Sequence, residues 1–80
     1  MKLKHFERLA GYHFLLTFEN GDVKEADLAD LIANHVSLDA LMTARIDPDW
    51  GCLEFNGGSV DIEPKTLYQF VTAVQHKEVA

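Results

Sequence analysis

The sequence predicts an α+β fold, in which an antiparallel β-meander packs with short helices and a C-terminal amphipathic helix. The first observation is the alternation of Tyr12–Phe18, which places aromatic and leucine side chains on one face, as in a half-buried strand. The second is the Asn20-Gly21 pair, a strong hairpin signal. The third follows Pro64, where apolar residues recur at helical spacing: Leu67, Phe70, Val71 and Val74.

The meander is predicted to contain three strands: about Leu3–Leu9, Tyr12–Phe18 and Asp22–Ala26. A two-residue turn at Ala10-Gly11 does not bring the apolar residues of the first two strands together. We therefore expect a β-bulge or a longer loop there.

The second hairpin has a predicted register. Both central residues of a type I′ turn need φ > 0, which Asn and Gly adopt readily. With Asn20-Gly21 at the centre of the turn, Phe18 pairs with Val23 and Leu16 pairs with Glu25.

The remaining elements are short. Asp27 is a predicted helix N-cap, and Ser37 is predicted to cap a further turn carrying Leu38, Leu41 and Met42. Residues 47–51 read as a turn between short strands at Arg45–Asp47 and Cys52–Phe55. The 80 residues form one predicted domain, 1–80, which buries roughly 60% of its unfolded surface. We expect self-association or a partner to add stability.

The composition excludes several function classes. Thirteen carboxylates outnumber seven Lys and Arg, which gives a net charge of −6 and disfavours direct nucleic-acid binding. The N-terminal residues are charged, and no stretch is long and apolar enough for a signal peptide or a membrane span. A cytoplasmic location is expected.

Metal and thiol chemistry have weak signals. The four histidines are dispersed, although the fold could bring His5 and His13 together on adjacent strands. Asp47-Pro48-Asp49 lacks the spacing of an EF-hand calcium loop. Cys52 is the only cysteine, and a passive, partly buried thiol is the favoured interpretation. No metal, cofactor or catalytic residue is predicted.

The Asn56–Glu63 corner allows two interpretations. The amides of Asn56-Gly57-Gly58 and the helix beginning at Pro64 could bind an anion, but Asp61 and Glu63 would repel it. The favoured interpretation is a hairpin turn before an acidic helix start, with both carboxylates serving the helix dipole and the exposed amides.

Several of these segments occur together, and in the same order, in a known family: Tyr12–Phe18, Asn20-Gly21-Asp22-Val23, Asp27-Leu28 and Val60–Tyr68. The chain resembles the bacterial family "domain of unknown function 2442" over nearly its whole length. It departs from the family pattern at Phe55-Asn56, where the family has an aromatic–proline pair. The resemblance implies a compact α+β domain with an antiparallel sheet. For some members it implies one half of a two-gene module resembling a toxin–antitoxin pair. It implies no catalytic residue.

Two functions are therefore expected from different classes. The first is a non-catalytic protein-interaction module that binds a basic, toxin-like protein encoded nearby, with Trp50, Tyr12, Tyr68, Asp61 and Glu63 as candidate interface residues. Homodimer formation through a sheet edge is a further expectation. The alternative is a small ligand-binding or enzymatic module at the Asn56–Glu63 corner, with a pocket lined by Asp61, Glu63 and a histidine.

Overall fold

The computed structural model describes the backbone of residues 1–79 and the side chains of residues 1–73. Its first sheet is an antiparallel meander of β1 (Leu3–Ala10), β2 (His13–Phe18) and β3 (Val23–Asp27). A one-turn helix, α1 (Ala29–Ile32), and a 3₁₀ turn at Asp39–Thr43 lead away from this sheet. The predicted meander is confirmed.

A second antiparallel sheet contains β4 (Arg45–Ile46), β5 (Leu53–Phe55) and β6 (Val60–Ile62). A turn at Asn56–Gly58, in which all three residues have positive φ, joins β5 to β6, and the C-terminal helix α2 (Pro64–Val79) follows. The α+β class is therefore confirmed. The sequence analysis missed β6, because a strand of three residues is too short to show an alternating pattern.

The predicted register of the second hairpin is wrong by one residue. Thr17, not Phe18, pairs with Val23, and Leu16 pairs with Lys24 rather than Glu25. Gly21 has a φ of 93°, whereas Asn20 does not have the positive φ that a type I′ turn requires. The loop therefore has three residues with glycine at the third position, and a one-residue change in loop length changes every pair.

The first hairpin contains the expected bulge. Arg8 pairs with Phe14 and Ala10 pairs with His13, so one residue of β1 has no partner between them. The extra residue shifts the pairing of β1 against β2 by one position at this point.

Each of the two predicted cap residues lies one position before the residue that occupies the cap position in the structure. Helix α1 begins at Ala29 with Leu28 at its cap position, and Asp27 instead ends β3. The Asp27 carboxylate nevertheless accepts a hydrogen bond of 2.9 Å from the backbone N–H of Ala29. The Ser37 hydroxyl accepts one of 3.2 Å from the N–H of Ala40, at the start of the 3₁₀ turn.

Aromatic side chains join the layers of the core. The rings of Phe14 in β2 and Phe55 in β5 meet edge to face, with centroids 6.4 Å apart, so the two sheets share one apolar core. Phe18 meets Tyr68 of α2 in the same way, at 5.0 Å. Within α2, Leu67 and Val71 are fully buried, as predicted, while Val74 lies outside the described side chains. In the described part of the chain, no helix is both long and apolar enough to cross a membrane.

Candidate functional site

Strand β6 places two carboxylates on the surface. Asp61 lies within the strand, and Glu63 follows it directly. Side chains two residues apart in an extended segment lie on the same face, and both of these residues are exposed. Ile62 between them is buried in the core, which fixes the direction of the segment.

Trp50 lies in the turn between β4 and β5, and 74% of it is exposed. The turn is held by hydrogen bonds centred on Asp47, whose carboxylate accepts from the N–H of Asp49 (3.0 Å) and whose carbonyl accepts from the N–H of Gly51 (2.8 Å). The exposed indole is therefore carried by an ordered turn, which lowers the entropy cost of using it in a contact.

Trp50, Asp61 and Glu63 lie around one hollow, although they are distant in sequence. This hollow, the Trp50 hollow, has a volume of about 330 Å³ and is lined by Asp47, Trp50, Cys52, Asp61, Glu63 and Pro64. It contains three carboxylates and one large aromatic ring, a combination suited to binding a cation.

The buried thiol of Cys52 responds to this charge. Its pKa is raised, first by burial and then by the negative charges of Asp61, Asp47, Glu63 and Glu54. At neutral pH the thiol is therefore protonated and a poor nucleophile. The passive role predicted for this cysteine fits its environment.

Asp61 and Glu63 also line a second hollow, the His35 hollow, of about 270 Å³. Its walls are Leu31, Ile32, His35, Val60, Asp61, Ile62, Glu63 and Thr66. A pocket lined by both carboxylates and a histidine is the feature that the ligand-binding alternative predicts. His35 comes from the segment after α1, and no sequence motif marks it.

The profile of the family described as "Protein of unknown function (DUF2442)" matches residues 4–73. This chain belongs to the DUF2442 family. No curated protein matches the chain, and no solved structure does. The DUF2442 family is described as being of unknown function, so membership does not establish an activity.

The turn after β5 differs from what the DUF2442 pattern of an aromatic–proline pair would allow. Asn56 has a φ of 55°, in the left-handed region that asparagine tolerates and proline, with its fixed negative φ, cannot adopt. The N–H of Asn56 donates to the hydroxyl of Thr43 at 2.8 Å, which joins the turn after β5 to the 3₁₀ turn at Asp39–Thr43.

The prediction for Asp61 and Glu63 at the start of α2 has two parts, hydrogen bonds to exposed amides and an effect on the helix dipole; the structure of this DUF2442 protein contradicts the first, and the second stays a prediction. No hydrogen bond within the described residues joins either carboxylate to an amide of α2, and Asp61 belongs to the missed strand β6. Glu63 contributes through its backbone carbonyl, which accepts from the N–H of Leu67 at 3.0 Å. Both carboxylates instead line the two hollows.

Tyr12 and Tyr68 are not among the residues that line the Trp50 hollow. The Tyr12 hydroxyl donates to the carbonyl of Val36 at 2.6 Å, and the Tyr68 hydroxyl donates to the Asp22 carboxylate at 2.5 Å. The latter bond lowers the pKa of Asp22 and raises that of Tyr68. Both hydroxyls are thus used within the fold, while the interface role predicted for these residues stays a prediction.

The histidines of β1 and β2 are not neighbours. His5 pairs with Thr17 and His13 pairs with Ala10, while His13 Nε2 lies 2.7 Å from a carboxylate oxygen of Glu25. Among the described residues, no group of three or more His, Cys, Asp or Glu is arranged to hold a metal ion.

Sequence reasoning also missed the buried carboxylate of Glu54. It pairs across the second sheet with Arg45, and the two side chains form an ion pair. The burial of Glu54 could have been predicted from its apolar neighbours Leu53 and Phe55. A carboxylate between two buried apolar residues of a strand needs a charged partner.

Proposed function

We propose that this DUF2442 protein is a non-catalytic protein-interaction module whose binding surface is centred on Trp50, Asp61 and Glu63. The observation that carries this proposal is the exposure of Trp50, 74%, at the edge of an acidic hollow. Tryptophan buries a large apolar area when a partner covers it, and it is among the most frequent anchors of protein interfaces.

The expected partner is a basic protein. The chain has a net charge of −6, and three carboxylates line the Trp50 hollow. Opposite charge on the partner would speed encounter and fix its orientation. A second copy of this chain would meet the hollow with like charge, so the proposed homodimer would have to use another surface, such as a sheet edge.

The resemblance noted above gives the partner a biological setting. As the antitoxin-like half of a two-gene pair in the bacterial cytoplasm, this protein would neutralise a basic, toxin-like protein by covering its surface. The proposal involves no catalysis, cofactor, nucleic acid or membrane.

A tagged pull-down from the native host's lysate tests the proposal, with bound proteins identified by mass spectrometry after low-salt and high-salt washes. Wild type is compared with Trp50→Ala and with the control Met42→Ala, which truncates a side chain that is 87% exposed and outside the hollow. We expect one stoichiometric basic protein that leaves at high salt, is lost with Trp50→Ala and is kept with Met42→Ala. Equal recovery with both variants would contradict the proposal.

A second candidate function is favoured by the His35 hollow. Its two carboxylates and histidine could bind a small cationic ligand, or act on it as acid and base. The substitution Asp61→Asn should then abolish ligand binding while the protein still unfolds at the wild-type denaturant concentration. If Asp61→Asn lowers stability but still binds a ligand found by screening, this alternative is contradicted.

A further inference from the structure

The Trp50 hollow contains an unbalanced negative charge. Asp47, Asp61 and Glu63 line it, and no Lys or Arg is among its lining residues in the described part of the chain. Two basic residues from neighbouring segments make contacts elsewhere. Arg45 is paired with Glu54, and the side-chain stem of Lys2 packs against Gly51. Cys52 lines the same hollow, and its thiol pKa is raised first by burial and then by these carboxylates.

The hollow is large enough to admit one long side chain of a partner. Its volume of about 330 Å³ lies at the low end of the range of about 300–1,000 Å³ for drug-sized ligands. A flat contact would leave it filled with water, whereas a single long side chain could enter it. Its walls combine an aromatic face, which attracts cations, with carboxylates, which accept hydrogen bonds from them.

Building on the proposed function, we infer that the Trp50 hollow accepts one arginine side chain of the partner protein. The guanidinium stacks on the indole of Trp50 and donates hydrogen bonds to the carboxylates of Asp61 and Glu63. Arginine fits better than lysine because its guanidinium is planar, weakly hydrated and able to donate two parallel hydrogen bonds to a carboxylate. Specificity would thus depend on one arginine at the centre of the contact, with the general charge of the partner adding encounter rate.

The chain contains a single tryptophan, so fluorescence excited at wavelengths that tyrosine does not absorb reports on Trp50 in this hollow. The probes are N-acetyl-arginine amide and N-acetyl-citrulline amide, which has nearly the same shape but a neutral urea in place of the guanidinium. At low salt we expect a saturable change with the arginine probe, with Kd on the order of 1 mM, as for a single weak contact. The citrulline probe should give no saturable change.

The double variant Asp61→Asn/Glu63→Gln should weaken binding of the arginine probe by roughly three- to tenfold, as expected for the loss of two exposed charge pairs. The control Asp39→Asn removes one exposed carboxylate that lines neither hollow, and it should leave the Kd unchanged within about twofold. An equal response to both probes, or unchanged binding in the double variant, would overturn the inference.

The two proposals can fail separately. If Trp50→Ala releases the partner in the pull-down while the arginine probe gives no response, the interaction proposal stands and the arginine site is wrong. If the arginine probe binds as expected while Trp50→Ala retains the same proteins as wild type, the hollow is a guanidinium site and the proposed protein interface is wrong.

Discussion

Gly51 lies where the turn that carries Trp50 meets the first residues of the chain. Its φ is +71°, and a Cβ added there would lie 2.9 Å from the backbone Cα of Lys2 and closer still to its Cβ. The N–H of Leu3 donates to the Gly51 carbonyl at 3.1 Å, so β1 is held against this turn. We predict that Gly51→Ala destabilises the protein much more than a glycine substitution that causes backbone strain alone.

The size of the effect can be worked out from two contributions. An alanine in the left-handed region costs roughly 1–2 kcal/mol. Overpacking against Lys2 adds roughly 1–3 kcal/mol, because the backbone there cannot move freely. The N–H of Lys2 donates to the carboxylate of Glu19 at 2.8 Å, and its carbonyl accepts from the N–H of Glu19 at 2.9 Å. The total of about 2–5 kcal/mol is a large share of the roughly 4–12 kcal/mol expected for a domain of this size.

Gly57→Ala is the matched control. Gly57 has a φ of +67°, yet a Cβ added there would meet nothing within 4 Å, so only the strain of about 1–2 kcal/mol applies. Urea unfolding followed by circular dichroism would compare both variants with wild type. Equal free energies of unfolding for Gly51→Ala and Gly57→Ala would refute the argument, since the close approach to Lys2 would then have no cost.

Three further predictions concern individual contacts. Tyr68→Phe should lower the melting temperature at neutral pH, and the difference should shrink in acid, because Asp22, whose pKa the Tyr68 hydroxyl lowers, becomes protonated there and accepts a weaker hydrogen bond. An unchanged difference at low pH would contradict this. Arg45→Met should cost about 1–2 kcal/mol in urea unfolding by leaving the Glu54 carboxylate buried without its partner, and adding Glu54→Gln should recover most of that loss. Cys52 should react with iodoacetamide more than roughly tenfold more slowly in the native protein than in urea, because burial and nearby carboxylates raise its thiol pKa; comparable rates would show that the thiol is accessible.

Much of the fold was predictable because strong local signals agreed with the tertiary structure. The alternation in β2 and the helical spacing after Pro64 both correspond to buried faces. The hairpin register was not predictable from Asn20-Gly21, because the same two residues suit a two-residue and a three-residue loop. Only the backbone shows that Gly21 alone takes a positive φ in that loop.

The candidate site was predictable only in part. The exposure of Trp50 was predictable because it lies in a turn, where a small domain has few side chains that could cover it. The proximity of Trp50 to Asp61 and Glu63 depends on β6. A strand of only three residues is too short to be predicted from an alternating pattern. The contribution of His35 depends on how the irregular segment after α1 packs, and no local pattern encodes that.

Asp61 and Glu63 line both the Trp50 hollow and the His35 hollow, and this shared pair has a thermodynamic consequence. A cation held in one hollow would neutralise charge that also attracts a cation to the other. Occupation of either hollow would therefore weaken cation binding in the other, by the same factor in both directions. A small cationic molecule bound beside His35 would then weaken binding of the proposed partner protein without touching Trp50.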